Sequence, residues 1–231
     1  MLERYSFYGV FQDDKSKCFM PDELGDFIKI KSDFLYRPLV IDKHLMAKYR
    51  VRSLCRRLVL INNPSWFVTL TFNDPAARND FQACMAAGSL FLRRARDLGL
   101  KCFLIPEHKD NGPNSVGWHF HGFVFGVVPS HVLQVKRSVK SGKIISRYIA
   151  PLHKKQAVFS SSIWEGGTNS LGWDFWTRLD LSPYELIPVS KYVVKYVSKS
   201  FIEKTTNRNR YLRSRGLRDD YDLFLDRLFS N

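Results

Sequence analysis

The stretch from Trp118 to Phe125, Trp-His-Phe-His-Gly-Phe-Val-Phe, constrains the fold of this chain more than any other. It is rich in aromatic residues and lacks Asp, Glu, Lys and Arg, and a Gly-Pro-Asn-Ser-Val-Gly loop precedes it, so it reads as a short strand. Side chains alternate along a strand, which turns His119 and His121 to one face and Trp118, Phe120 and Val124 to the other. A sheet anchored by those apolar residues presents two imidazoles side by side behind them. That geometry suits two neutral imidazoles gripping one divalent cation, and it equally suits two ordinary histidines on a solvated face. What flanks the pair decides.

Upstream, Trp66 to Phe72 follows an Asn-Asn-Pro-Ser turn and has the residues of a strand. Phe67, Thr69 and Thr71 alternate with Val68, Leu70 and Phe72, a Thr-bearing face backed by an apolar one. Asp74 before Pro75 predicts the start of a helix that runs to Leu98, with Phe81, Met85, Leu92 and Leu98 inward and Gly99 stopping it. Lys101 to Ile105 predicts a further strand ending at Pro106-Glu107-His108. A loop then returns the chain to the histidine strand, so the two strands are expected as antiparallel neighbours with Glu107 near one end of the pair. Before all of this, His44 to Val59 carries loosely helical apolar spacing, and residues 1–60 read as an extension of uncertain role ahead of a domain over 61–231.

Charge narrows the partners. Lys plus Arg number 36 against 22 Asp plus Glu, a net charge of +14, which predicts attraction to a polyanion. Between Asn111 and Trp164 there is no acidic residue, while Lys136, Arg137, Lys140, Lys143 and Arg147 all occur there, as a backbone-binding surface requires. No apolar run is long enough to span a membrane, and no signal-peptide core opens the chain, so a cytoplasmic protein is expected. The four cysteines contain no Cys-x-x-Cys pair and read as thiols rather than a zinc knuckle or disulfide framework.

Near the C-terminus, Pro188 leads to Ser190, an expected N-cap, and to a helix carrying Tyr192, Lys195, Tyr196 and Lys199 on one face. A tyrosine is a competent nucleophile toward phosphorus, storing the energy of a broken phosphodiester in a phosphotyrosine bond. A cation such as Lys195 assists a phenol that is otherwise sluggish at neutral pH. Two tyrosines on one face point to two successive transesterifications.

The ordered set Phe67-Val68-Thr69-Leu70-Thr71-Phe72, His119-Phe120-His121-Gly122 and Tyr192-Val193-Val194-Lys195-Tyr196 resembles the three motifs of the HUH endonucleases. The Tyr-x-x-Lys-Tyr form, with Trp164, Gly166 and Ser214-Arg215-Gly216, is most similar to initiators of rolling-circle replication in small single-stranded DNA phages of the microvirus type. The resemblance spans about residues 66–216. It implies an α+β, RRM-like fold: a five-stranded antiparallel sheet with the histidine strand central and the tyrosine helix over it. It implies metal ligation by His119, His121 and Glu107, with His108 or Asp110 as alternatives to the carboxylate, and Mg²⁺ or Mn²⁺ as the ion. Tyr192 would nick, Tyr196 would cut again and join, and Lys195 would hold the scissile phosphate. DNA contacts are expected from the basic run, Lys199, Arg213 and Arg215.

The activity so implied is site-specific nicking of single-stranded DNA, or of a hairpin origin, in the host cytoplasm. Host helicase and polymerase would be the protein partners, since the chain carries no helicase signature. Relaxases and transposases share the chemistry. A non-catalytic RRM-like module that binds single strands by stacking and charge is the rival from another class.

Overall fold

The computed structural model describes residues 11–12, 18–21, 27–30, 43–109, 117–149, 154–165, 171–182, 185–186, 188–192 and 211–220. The chain divides into two compact units, residues 1–49 and 50–231. The described part of the first holds a three-stranded antiparallel sheet of β1 (Phe11–Gln12), β2 (Cys18–Pro21) and β3 (Phe27–Ile30). Met20 and Pro21 lie in β2.

Helix α1 (Lys43–Asn62) has buried Val51, Leu54, Cys55, Leu58 and Val59 along it. Asn63, at φ 49°, takes the left-handed conformation just past its end, and Pro64 follows. The Asn62 side chain donates to the Arg218 carbonyl at 2.7 Å and accepts from the Arg218 N–H at 2.9 Å, tying this end of α1 to the C-terminal segment.

Strand β4 (Trp66–Thr71) leads to Asp74, whose side chain accepts from the Ala76 N–H and caps α2 (Pro75–Asn79). The single helix expected from Pro75 to Leu98 is two helices. Asp80 adopts an extended conformation and its carboxylate caps α3 (Phe81–Asp97) by accepting from the Ala83 N–H at 2.7 Å. A second capping acid inside a helical pattern thus restarts the helix rather than riding on its surface. Phe81, Cys84, Met85, Phe91 and Ala95 form the buried stripe of α3, with Leu92 and Leu98 only partly covered, and Gly99 ends it at φ 73°.

The remaining strands are β5 (Lys101–Lys109), β6 (Gly117–Phe125), β7 (Leu133–Val135), β8 (Ser146–Ile149), β9 (Lys154–Ala157), β10 (Phe159–Ser161), β11 (Asp174–Arg178) and β12 (Leu212–Arg213), with α4 (Ser162–Glu165) after β10. They make a seven-stranded sheet in the order β12-β5-β6-β4-β11-β10-β7, with β8 and β9 paired apart from it. Every pairing in it is antiparallel. The α+β class and the antiparallel sheet agree with expectation; among the described residues the sheet has seven strands where five were expected, four of them long and three, β7, β10 and β12, short strands at its two edges. The histidine strand β6 is interior, between β5 and β4.

Strand β5 does not stop at Pro106 but pairs with β6 as far as Lys109. Ser214 donates its N–H to the Cys102 carbonyl and its Oγ accepts from the Cys102 N–H, so the backbone groups of residues 102, 104 and 106 face β12. Among the described residues β12 pairs with Leu104 and Phe103. The donor that proline lacks is on the side away from β6, so β5 keeps its ladder to β6 intact.

One face of the sheet packs on α3. Val68, Leu70, Leu104, Phe120, Val124 and Trp176 are fully buried there, together with Phe91 and Trp164. Asp174, also fully buried, accepts from the Ser161 N–H and hydroxyl and from the Trp176 indole at 2.6 Å, locking β10 to β11. Among the described residues no helix is long and apolar enough to cross a membrane.

Candidate metal centre

The opposite face carries the chemistry, and strand register builds it. Glu107 pairs with His119, His119 with Thr71, and His121 with Thr69, so these residues form adjoining rows on one face. The Nε2 atoms of His119 and His121 lie 3.0 Å apart, and Glu107 Oε2 is 2.8 Å from the first and 3.0 Å from the second. Three ligand atoms from two strands thus converge on one point, and this buried group could hold a metal ion.

The outer ring nitrogens fit that purpose. His119 Nδ1 turns toward the Gly117 carbonyl at 3.4 Å, an acceptor only, and His121 Nδ1 lies 3.1 Å from Thr69 Oγ1. With Nδ1 turned outward to these partners, Nε2 is the atom each ring offers to an ion, the usual division of labour in a metal-binding imidazole. Burial holds the His121 ring down at about 4, outweighing the pull of Glu107, so it is neutral at ordinary pH. Burial alone would raise the Glu107 carboxyl, but hydrogen bonds with His119 and His121 outweigh it and hold the group at about 2. A carboxylate beside a neutral imidazole is a cation-binding set.

His108 does not compete for the site. It alternates with Glu107 along β5 and packs edge-on against Trp118, ring centroids 5.0 Å apart. Asp110 lies outside the described residues.

Tyr192 reaches the same face. Residues 185–186 and 188–192 are helical, so Ser190, expected as an N-cap, sits inside a helical run and is buried. The Tyr192 ring packs edge-on against Phe67 at 6.2 Å, and Phe67 stacks on His121 at 6.0 Å with 6° between the planes. One phenylalanine therefore separates the phenol from the metal-binding cluster. Tyr196, Lys195 and Lys199 lie outside the described residues.

The basic residues are distributed unevenly. The Arg147 guanidinium lies 3.7 Å from the centre of the Phe175 ring and Lys136 Nζ 4.4 Å from it, and Phe175 pairs with Thr69 beside His121. Burial lowers the Arg147 pKa and attraction to Tyr192 opposes it. Arg137, Lys140 and Lys143 are exposed in the turn between the bridge residues Arg137 and Ile144, with Arg137 Nη1 donating to the Gly142 carbonyl. Arg213 is engaged internally by Asp219 at 2.7 Å and the Leu217 carbonyl, while Arg215 is exposed.

Sequence reasoning missed the parts that four residues play here. Thr69 partners His121, and Phe67 bridges to Tyr192. Trp173 and Phe175 place aromatics on this face; alternation through Trp173-Asp174-Phe175-Trp176-Thr177 was the available signal. Comparison with protein-family models, curated proteins and solved structures finds no match.

Proposed function

We propose that the protein is a site-specific single-stranded DNA endonuclease and strand transferase of the HUH type, initiating rolling-circle replication. The observation that carries this reading is the Glu107–His119–His121 cluster with the Tyr192 ring on the same face, one side chain away. The seven-stranded antiparallel sheet with an interior histidine strand is compatible with that family's fold, extended at both edges.

The three ligand atoms lie 2.8 to 3.0 Å apart, so His119, His121 and Glu107 could all hold one divalent ion. Two imidazoles with one carboxylate suit Mn²⁺ better than Mg²⁺. When bound, the ion polarises a phosphoryl oxygen and offsets charge that develops at phosphorus.

The chain's residues do the rest. Tyr192 Oη attacks phosphorus, the bond to the 3′-oxygen breaks, and the DNA 5′ end remains on the tyrosine as a phosphodiester. The freed 3′-OH primes synthesis. Arg147, drawn to Tyr192, holds the phosphate that approaches the phenol. Tyr196 serves a second cleavage and joining, with host helicase and polymerase as partners.

The test uses a pool of labelled single-stranded oligonucleotides with Mn²⁺ and denaturing gels. A covalent protein–DNA band is expected, lost with chelator, and lost or moved to Tyr196 in Tyr192→Phe. Binding of the pool with no covalent band at any metal concentration overturns the reading in favour of a non-catalytic binder.

A further inference from the structure

Of the five tryptophans, Trp118, Trp164 and Trp176 are buried and Trp66 is packed against the core, but Trp173 is 62 % exposed. Its backbone is nonetheless fixed. The Thr71 N–H donates to the Trp173 carbonyl at 2.8 Å and the Thr71 hydroxyl donates to the same oxygen at 2.7 Å. This continues the β11–β4 register by one residue, setting Trp173 opposite Thr71. Trp173, Thr71, His119 and Glu107 therefore form one row across four strands. At ~4.8 Å per strand, the Trp173 backbone stands ~10 Å from that of His119.

Phe175, next along the same face, has its ring covered by Arg147 and Lys136. A base cannot use a ring face that a cation already occupies. The exposed indole, by contrast, is two residues along the same face from the ring that these two cations cover, and in row with His119 and Glu107. An aromatic platform flanked by positive charge matches the two halves of a single-stranded nucleotide, its base and its phosphate.

We propose that Trp173 is a stacking platform for a base within a few nucleotides of the cleaved phosphate, so that single-stranded DNA crosses this face from Trp173 toward Glu107, with Lys136 and Arg147 holding the intervening backbone. The inference rests on the nuclease reading for the position of the cleaved phosphate. Duplex DNA does not fit, because its bases are already stacked on one another.

The test measures binding of the full-length protein, in EDTA to prevent cutting, to two fluorescein-labelled probes of equal length: a mixed-sequence single-stranded DNA and an abasic analogue with the same phosphates. Trp173→Ala should weaken binding to the base-bearing probe by roughly 5- to 100-fold, and Trp173→Phe should retain most of the affinity. On the abasic probe the wild type and Trp173→Ala should bind alike, whereas Arg147→Ala should weaken both probes equally. Equal affinity of wild type and Trp173→Ala for the base-bearing probe overturns the proposal. Equal loss on both probes also does, since a merely structural tryptophan behaves that way. If Trp173→Ala shows the expected loss but no metal-dependent adduct forms, the platform stands and the nuclease reading fails. If the adduct forms and Trp173→Ala binds normally, only the platform fails.

Discussion

The two faces of the sheet are built from the same strands and do opposite things. On the face against α3, Val68, Leu70, Leu104, Phe120 and Trp176 are fully buried apolar residues that fix how the strands pair. On the other, Glu107, His119, His121 and Thr69 are arranged as those pairings dictate. A slip of one residue would move every side chain to the wrong face. The packed face therefore determines the geometry of the polar one, and ligand atoms 3.0 Å apart need no covalent link or long loop to hold them.

Four experiments bear on that division of labour. The largest effect belongs to Phe120→Ala, which hollows the packed face between the two histidines: a stability loss of about 3–5 kcal/mol in urea unfolding. Metal binding should weaken with it, since the ladder behind both imidazoles loosens. His121→Ala should do the reverse. Mn²⁺ affinity, followed by calorimetry, should fall more than ~100-fold, because a ligand is gone rather than its support. Its urea midpoint without metal should move far less than that of Phe120→Ala. If both variants lose stability alike, the faces are not separable.

Thr69→Val sharpens the contrast by removing only the hydroxyl that orients His121. A fall of about 10- to 100-fold in Mn²⁺ affinity is expected with nearly unchanged folding. Unchanged affinity would make Thr69 a bystander.

The smallest effect is in the pH dependence of the metal-free protein. His121 is held at about 4 against an ordinary 6.5, and Glu107 at about 2 against 4.5. Both folded values lie below the unfolded ones, so the unfolded chain binds more protons in between. Stability should be full above pH 6.5, begin to fall as His121 resists protonation down to about 4, and fall again below 4.5 as Glu107 does. Between pH 7 and 6 the loss is slight. The His121→Ala variant should lose the upper part of the slope, and an unchanged profile there would assign it to another group.

Legibility followed the alternation of residues. His119 and His121 share a face because of their spacing, and Glu107 met them because a strand, a loop and a returning strand leave few registers. His108 stayed open as an alternative to Glu107 until the extent of β5 was known: one residue along that strand is the other side of the sheet. Asp80 was not legible, since an acid in a helical pattern looks equally like a surface residue and a second cap. The short strands β7, β10 and β12 carry too few residues for a period to show, so the sheet's width was hidden. Asp174 breaks the apolar pattern of β11 while being among its most buried residues, and only the donors of Ser161 and Trp176 explain it. Tyr192 was legible as a residue type, but its route to the histidines through Phe67 depends on how a helix lands on a sheet, which no local pattern encodes.

Pro106 has an outcome beyond its own strand. Any other residue at 106 would bring a backbone donor into a buried position turned away from β6, where it would need a partner of its own. Proline removes that demand just before Glu107, while the ladder that sets Glu107 against His119 keeps every donor it uses.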